Sequence, residues 1–174
     1  MELIEGDTLA QRIRKGALTP VDAYRIVNVL CDALDAAHRE GIVHRDLKPD
    51  NIMIPKGGEP ACKILDFGLA RINQLSAERL TRAGTILGTP RYMAPELIKT
   101  LRDTDHRADV FAVGVITFEL LTGKSIYAAD DVGQLFGAIL EGRTRKLREL
   151  APSLPESLEQ VIVRATALEP SARQ

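Results

Sequence analysis

Four polar residues between positions 46 and 66 of this 174-residue chain have the side chains that phosphoryl transfer requires. Asp46 can take a proton from an incoming hydroxyl, and Lys48 can offset the negative charge of the moving phosphoryl group. Asn51 and Asp66, fifteen positions apart, supply the hard oxygen ligands that Mg²⁺ prefers. Asp46 and Lys48 are therefore the candidate catalytic residues, and Asn51 and Asp66 are the candidate metal ligands.

Each half of this pattern also has a simpler interpretation. Residues 44–46 (HRD) could be a solvated charge cluster, and residues 66–68 (DFG) could be an ordinary turn. The longer context favours the chemical interpretation, because residues 44–51 (HRDLKPDN) and residues 66–68 follow each other in the order of the protein kinase motifs. On these residues the chain resembles the Ser/Thr branch of the protein kinase family. Residues 38–43 (HREGIV) resemble the family's bacterial members of the eukaryotic type.

The resemblance extends along the whole chain but covers only part of the family's domain. Residues 1–6 resemble the last small-lobe strand and the hinge, and residues 94–96 (APE) resemble the end of an activation segment. Residues 105–123 resemble the central buried helix of the large lobe. The Gly-rich loop and the V-A-I-K lysine, which cover and hold the ATP phosphates in the family, do not occur in the sequence. We therefore expect residues 1–174 to form one partial domain, a kinase hinge and large lobe without the small lobe and the last helices.

The spacing of apolar residues predicts a mainly α-helical fold. Thr19 and Pro20 are typical of a helix start, and apolar residues then recur at helical spacing until Gly41, which is typical of a helix end. Residues 110–116 are apolar on every side, which indicates a fully buried helix. Helical spacing recurs over residues 132–140 and 158–167, with a loop-like stretch between them.

A short β-hairpin is the predicted exception to this helical pattern. Residues 52–54 and 63–65 are apolar runs on either side of a loop rich in Gly and Pro. The two ends of such a hairpin would bring Asn51 and Asp66 together, as a shared Mg²⁺ requires. Residues 69–93 show neither helical nor strand periodicity and are long for a loop in a compact domain, which favours a functional role.

The resemblance to kinases implies further roles around this activation segment, or activation loop. Arg45 would belong to a basic pocket that binds a phosphorylated residue of the segment. Thr81 and Thr85 are the favoured phosphate acceptors and Ser76 is less favoured, although ordinary loop polarity explains any one of these hydroxyls almost as well. Thr89 resembles the threonine that hydrogen-bonds the catalytic Asp and Lys.

Other residues have structural roles in the resemblance. Glu96 and Arg173 resemble a buried ion pair, in which either charge alone would be costly. Asp109 would accept hydrogen bonds from backbone N–H groups of the loop at residues 44–46, or it could simply cap its helix. His38 and His106 lack metal-ligand spacing, so both are interpreted as structural.

The resemblance also suggests an adenine site. The Glu2 carbonyl and the Ile4 amide match the hinge positions that hydrogen-bond ATP in the family. Met53 matches the side chain that packs under the adenine ring.

Composition excludes few functions. With 23 basic and 24 acidic residues the formal net charge is −1, so nothing indicates a nucleic-acid partner. The longest apolar run, residues 110–118, is far too short to span a membrane. Cys31 and Cys62 are isolated and lack metal-site spacing, so we expect reduced thiols and a cytoplasmic protein.

The sequence therefore predicts a fragment of a Ser/Thr protein kinase, which uses ATP and Mg²⁺ to phosphorylate protein substrates bearing Ser or Thr. The alternative is a truncated, non-catalytic binding or regulatory module, and we expect negligible kinase activity from the chain alone. A small-molecule phosphotransferase is a weaker alternative, because such enzymes generally lack Lys48 and residues 94–96. Apolar surface around Met1, Ile4 and the hairpin would be exposed without a small lobe, which predicts self-association.

Overall fold

A computed structural model describes residues 5–57, 61–65, 90–99 and 104–173 of the chain. In this part of the chain the fold is mainly α-helical, with one small three-stranded antiparallel sheet. The fold class predicted from the sequence is therefore confirmed.

The helices and strands have the following bounds. The helices are α1 (Leu9–Arg14), α2 (Pro20–Arg39), α3 (Pro95–Lys99), α4 (Arg107–Thr122), α5 (Val132–Glu141), α6 (Leu147–Leu150) and α7 (Glu156–Ala165). The strands are β1 (Gly6–Thr8), β2 (Ile52–Pro55) and β3 (Lys63–Ile64). Single 3₁₀ turns span Pro49–Asn51, Pro90–Tyr92 and Pro170–Ala172. Among the described residues, no helix is both long enough and apolar enough to cross a lipid bilayer.

α2 begins and ends where the sequence predicts. The Thr19 hydroxyl accepts a hydrogen bond from the Asp22 N–H, which satisfies one of the free amides of the first turn. Gly41 lies just beyond the helix and has a φ of 74°, a left-handed conformation that favours Gly. α2 thereby delivers the chain into residues 42–48, the loop that carries Asp46 and Lys48.

α4 lies at the centre of the core and packs against α2 and α7. It is buried on nearly every side, as its sequence predicts, and Phe111 and Phe118 are no more than 1% exposed. Gly114 has a role in this packing, because a side chain there would collide with the end of α7. Two acids of α4, Asp109 and Glu119, are also buried, and both belong to polar clusters near the candidate site.

The sheet is larger than the predicted hairpin. β2 pairs with β3 as expected, and it also pairs with β1 on its other edge, where Met53 lies opposite Thr8. The strand β1 has the sequence Gly-Asp-Thr, which lacks the alternation that signals a strand. Its pairing depends on the neighbouring strand β2, so local periodicity does not predict it.

The sequence-based prediction was wrong at several smaller elements. α1 was not predicted, although Thr8 and Gln11 form a capping box at its start. α6 lies in the stretch between residues 141 and 157 that was interpreted as a loop. α7 runs over Glu156–Ala165, two residues earlier than predicted, and Pro90–Tyr92 forms a 3₁₀ turn inside a segment expected to be irregular.

Candidate active site

The loop after α2 alternates between buried and accessible residues. His44 and Leu47 are 1% and 2% exposed, and the His44 ring nitrogen Nε2 lies 3.2 Å from the Leu65 carbonyl oxygen. Asp46 and Lys48 follow these anchors and remain accessible. The buried residues thus fix the loop, and the two candidate catalytic side chains remain open to a substrate.

Asp109 of α4 accepts two hydrogen bonds from the backbone of this loop. Its Oδ2 accepts a hydrogen bond from the His44 N–H at 2.9 Å, and its Oδ1 accepts one from the Arg45 N–H at 2.8 Å. Arg45 has a φ of 62°, which is strained for a residue with a side chain. Charge-assisted hydrogen bonds to a buried carboxylate stabilise such a backbone.

His38 is a third partner of this carboxylate that sequence reasoning did not identify. Its Nε2 lies 2.8 Å from Oδ2 of Asp109, and its ring packs against that of His106, with centroids 5.4 Å apart. The sequence offered no signal for this pair, because 71 positions separate His38 from Asp109 and nothing in the local sequence connects the two residues.

We expect Asp109→Asn to loosen the loop selectively. The Asn amide is uncharged and can accept at one atom only, so one of the two backbone N–H groups of residues 44–45 loses its acceptor, a cost of about 3 kcal/mol. Hydrogen exchange of a peptide covering residues 42–48 should accelerate by about a hundredfold. Asp105→Asn, at an exposed acid just before the same helix, is the matched control and should leave that exchange unchanged. Unchanged exchange in both variants would show that Asp109 does not hold the loop.

Asp46 and Lys48 form a direct pair. The Lys48 Nζ donates to Oδ2 of Asp46 at 2.8 Å. The Asp46 side chain is 59% exposed and the Lys48 side chain is 22% exposed. Within the described part of the chain, Lys48 is the one side chain that contacts this carboxylate. The other oxygen, Oδ1, has no hydrogen-bond partner among the described residues.

Asn51 lies beside this pair at the end of the turn Pro49–Asn51. Its Nδ2 donates to the Asp46 carbonyl oxygen at 3.0 Å, so the amide oxygen is left for a cation. The Leu65 N–H donates to the Asn51 carbonyl at 2.7 Å, and Asp66 directly follows Leu65 in the sequence. Asp66 itself lies outside the described residues.

Asn51 is the one predicted metal ligand that the structure describes. The amide oxygen of Asn51 is a ligand of the type that Mg²⁺ accepts, and Mg²⁺ commonly keeps several waters beside few protein ligands. Within residues 5–57, 61–65, 90–99 and 104–173, no cluster of three or more His, Cys, Asp or Glu side chains could hold a metal by itself. A site at Asn51 therefore needs a further oxygen ligand, the role that sequence analysis gave to Asp66.

A pocket opens between the loop and the turn Pro90–Tyr92. It is lined by residues 45–48 on one side and by Tyr92, Met93 and Leu97 on the other, with Asp109 at its base. The catalytic candidates thus face residues at the end of the expected activation segment.

Of the other site residues predicted from the sequence, six lie outside the described residues, whereas Met53 and Arg45 are described. Those outside the described residues are Glu2, Ile4, Asp66, Thr81, Thr85 and Thr89. Met53 is half-buried in the central strand β2, and Nη2 of Arg45 donates to the Thr104 carbonyl at 3.3 Å. The Nε of Arg45 is buried and has no hydrogen-bond partner among the described residues.

Glu96 and Arg173 form a bidentate ion pair. The Arg173 Nη1 donates to Oε1 of Glu96 at 2.6 Å, and its Nη2 donates to Oε2 at 2.9 Å. The Arg173 side chain is fully buried, donates to three backbone carbonyls as well, and lies 4.9 Å from the centre of the Phe111 ring. This pair ties α3 to the end of the described chain and to the buried helix α4.

Tyr92 and Glu119 form a second polar cluster that sequence analysis did not identify. The Tyr92 hydroxyl donates to Oε2 of Glu119 at 2.6 Å, and the Arg91 Nη1 lies 3.6 Å from Oε1. Burial raises the pKa of the Glu119 carboxyl, and burial and the Glu119 charge raise the pKa of the Tyr92 phenol. In the sequence Glu119 is one acid in an apolar run, so residue types alone gave no partner for it.

The mainly α-helical fold, with its buried central helix and the loop that pairs Asp46 with Lys48, agrees with the resemblance to protein kinases. The family model described as "Protein kinase domain" matches residues 1–174, and the chain belongs to that family.

Named relatives agree with this assignment. The chain is 37% identical over 174 residues to the serine/threonine-protein kinase PknH of Mycobacterium tuberculosis (strain H37Rv), covering 99% of this chain and 27% of that protein. It is 41% identical over 179 residues to the serine/threonine-protein kinase Pkn1 of Myxococcus xanthus, covering 99% and 25%. It is 36% identical to the serine/threonine-protein kinase PknL of M. tuberculosis, covering 42% of that protein. The chain thus spans between a quarter and about two fifths of these relatives.

A solved structure has the same fold. The crystal structure of Rad53 residues 1–466 in complex with AMP-PNP matches with a TM-score of 0.79 and 28% sequence identity. The match covers 99% of this chain and 42% of that chain.

Proposed function

We propose that the protein containing this chain is a Ser/Thr protein kinase, which transfers the γ-phosphoryl group of ATP to Ser or Thr hydroxyls of protein substrates. The observation that carries this proposal is the accessible Asp46 carboxylate, paired at 2.8 Å with Lys48 on a loop that a buried carboxylate holds in place. The names of the relatives support the Ser/Thr class.

Asp46 orients the substrate hydroxyl and accepts its proton as the oxygen attacks. Lys48 carries a positive charge beside the same carboxylate and stabilises the negative charge on the transferred phosphoryl group. Little covalent chemistry falls to the protein in such a reaction, so its contribution is position and charge. The hydrogen bonds from the loop to Asp109 provide that position.

The resemblance to kinases also suggests which residues would bind Mg²⁺ and ATP beside Asp46 and Lys48. Bound Mg²⁺ would neutralise the phosphate charge, and Asn51 together with Asp66 would hold it. The Glu2 carbonyl and the Ile4 amide would hydrogen-bond the adenine, with Met53 packing beneath the ring.

Arg45 is the proposed contact for a phosphorylated activation segment. Its buried Nε has no hydrogen-bond partner in the described part of the chain, so the guanidinium keeps a donor for a phosphate. Thr81 and Thr85 are the proposed acceptors of that phosphate, and Thr89 is the proposed hydrogen-bond partner of Asp46 and Lys48.

The wider setting is also proposed. Residues 1–174 correspond to the hinge and large lobe of a kinase domain, acting on protein substrates in the cytoplasm. The surface around Met1, Ile4 and the sheet is the proposed region of self-association when the chain is made alone.

The metal requirement tests this assignment. We expect transfer by the full-length protein to stop in EDTA, and Asn51→Leu to raise the Mg²⁺ concentration for half-maximal rate by about tenfold or more. Asn28→Leu, at an exposed Asn of α2, is the control and should leave that concentration unchanged. Transfer at the full rate without a divalent cation would contradict the proposal, and so would an unchanged Mg²⁺ requirement in Asn51→Leu.

A further inference from the structure

A second cavity adjoins the candidate active site. It has a volume of about 470 Å³ and lies between α1, the turn Pro90–Tyr92 and the end of α4. Tyr92 lines both this cavity and the pocket that contains Asp46 and Lys48. The second cavity therefore lies next to the pocket in which a peptide hydroxyl would meet Asp46.

The walls of this cavity are predominantly basic. Arg14, Arg91 and Lys124 line it, and Glu119 is the one acidic residue among its described lining residues. We call it the basic cleft. Arg14 and Lys124 are exposed, and within the described residues neither side chain forms an ion pair or hydrogen bond. Their charges therefore remain free to act on a ligand.

Glu119 does not cancel this charge at the mouth of the cleft. It is 3% exposed, its Oε2 accepts the Tyr92 hydroxyl, and its Oε1 lies 3.6 Å from the Arg91 guanidinium. Burial also raises the pKa of its carboxyl. Oε1 of Glu119 has no hydrogen-bond partner among the described residues, but it is buried beside the Arg91 guanidinium, and a basic ligand side chain would have to pass Arg14 and Lys124 to reach it.

We propose that the basic cleft binds acidic side chains of the substrate peptide next to the phosphate-accepting residue, and that Arg14 and Lys124 determine this preference. The inference rests on the proposed kinase function for the position of the accepting hydroxyl. Electrostatic complementarity of this kind selects between partners more than it adds affinity, because the cations are exposed to solvent.

Peptide competition in the full-length protein tests the preference. One Ser/Thr peptide is made with three Glu, three Gln or three Lys residues before the acceptor, and again with them after it. In one of the two placements, before or after the acceptor, the kcat/KM of the Glu peptide should be at least about fivefold above that of the Gln peptide. The Lys peptide should have the lowest kcat/KM in that placement. A preference for Lys, or no preference on either side, would overturn the inference.

Charge reversal assigns the preference to the cleft. Arg14→Glu and Lys124→Glu should each lower the Glu-to-Gln ratio by about fivefold. Arg164→Glu makes the same change in net charge on an exposed position of α7 that lines neither cavity, and it should leave the ratio unchanged. An equal fall in all three variants would mean that overall charge, and not the cleft, sets the preference.

A binding measurement separates this inference from the proposed function. If no peptide is phosphorylated, the kinase proposal fails, and fluorescence anisotropy with labelled Glu and Lys peptides still decides the inference. Tighter binding of the Glu peptide, weakened in Lys124→Glu but not in Arg164→Glu, supports the basic cleft. Equal binding of the two peptides, or tighter binding of the Lys peptide, overturns it.

Discussion

Asp46→Asn in the full-length protein is expected to lower kcat for peptide phosphorylation by about 10³-fold. The amide keeps the size of the side chain and still faces Lys48, but it cannot accept the hydroxyl proton. Because Asp46 acts in the transition state, the KM for ATP should remain within about twofold of the original value. Steady-state rates with varied ATP and peptide measure both quantities.

Asp50→Asn is the matched control for this substitution. Asp50 is an exposed acid in the turn Pro49–Asn51, so the same charge is removed a few residues from Asp46. We expect its kcat to stay within about threefold of the original, because an exposed charge contributes little. If kcat falls by less than tenfold in Asp46→Asn, the assigned role is contradicted. A fall in kcat of the same size in Asp50→Asn would also contradict it.

Arg173→Met is the substitution with the largest expected effect on stability. It leaves the Glu96 carboxylate largely buried without its partner, which costs about 3 to 5 kcal/mol of the free energy of unfolding. It also removes donors from the backbone carbonyls that Arg173 contacts. Hydrogen exchange of α3 and α7 amides, measured by mass spectrometry, gives the local free energy of opening even when other domains are present.

Two further variants test whether loss of the Glu96–Arg173 ion pair causes the loss of stability. Arg143→Met breaks a surface pair with Glu141, in which the side chains are 61% and 62% exposed, and should cost less than about 1 kcal/mol. Glu96→Gln combined with Arg173→Met should cost less than the sum of the single changes, because no charge is then left unpaired. A loss below about 1 kcal/mol in Arg173→Met would show that the pair does not stabilise this lobe.

The elements that were predicted correctly are those whose signal is local. Thr19, Pro20 and Gly41 set the bounds of α2 by capping and by backbone conformation, and neither depends on the rest of the fold. The apolar sequence of α4 predicts burial on every side for the same reason. β1 and α6 are short, and β1 depends on a distant strand, so the local sequence contained too little information to predict them.

In the candidate site, too, the sequence predicted the residues of a local motif but not the long-range contacts. Asp46, Lys48 and Asn51 lie within six residues of one another, so a motif identified them, and the structure shows how the loop holds them. The contact of Asp109 with the loop was expected only because the resemblance to kinases implied it. His38 and Glu119 have partners far away in the sequence, so only the three-dimensional arrangement shows what they contact.

Transfer of labelled γ-phosphate from Mg²⁺-ATP to a Ser/Thr-containing protein is the most direct test of kinase activity in the full-length protein. Mass spectrometry of the product then identifies the modified residue. We predict phosphoserine or phosphothreonine on the substrate, and a rate about 10³-fold lower in Asp46→Asn. Phosphate on tyrosine alone, or no transfer with saturating Mg²⁺-ATP, would contradict it.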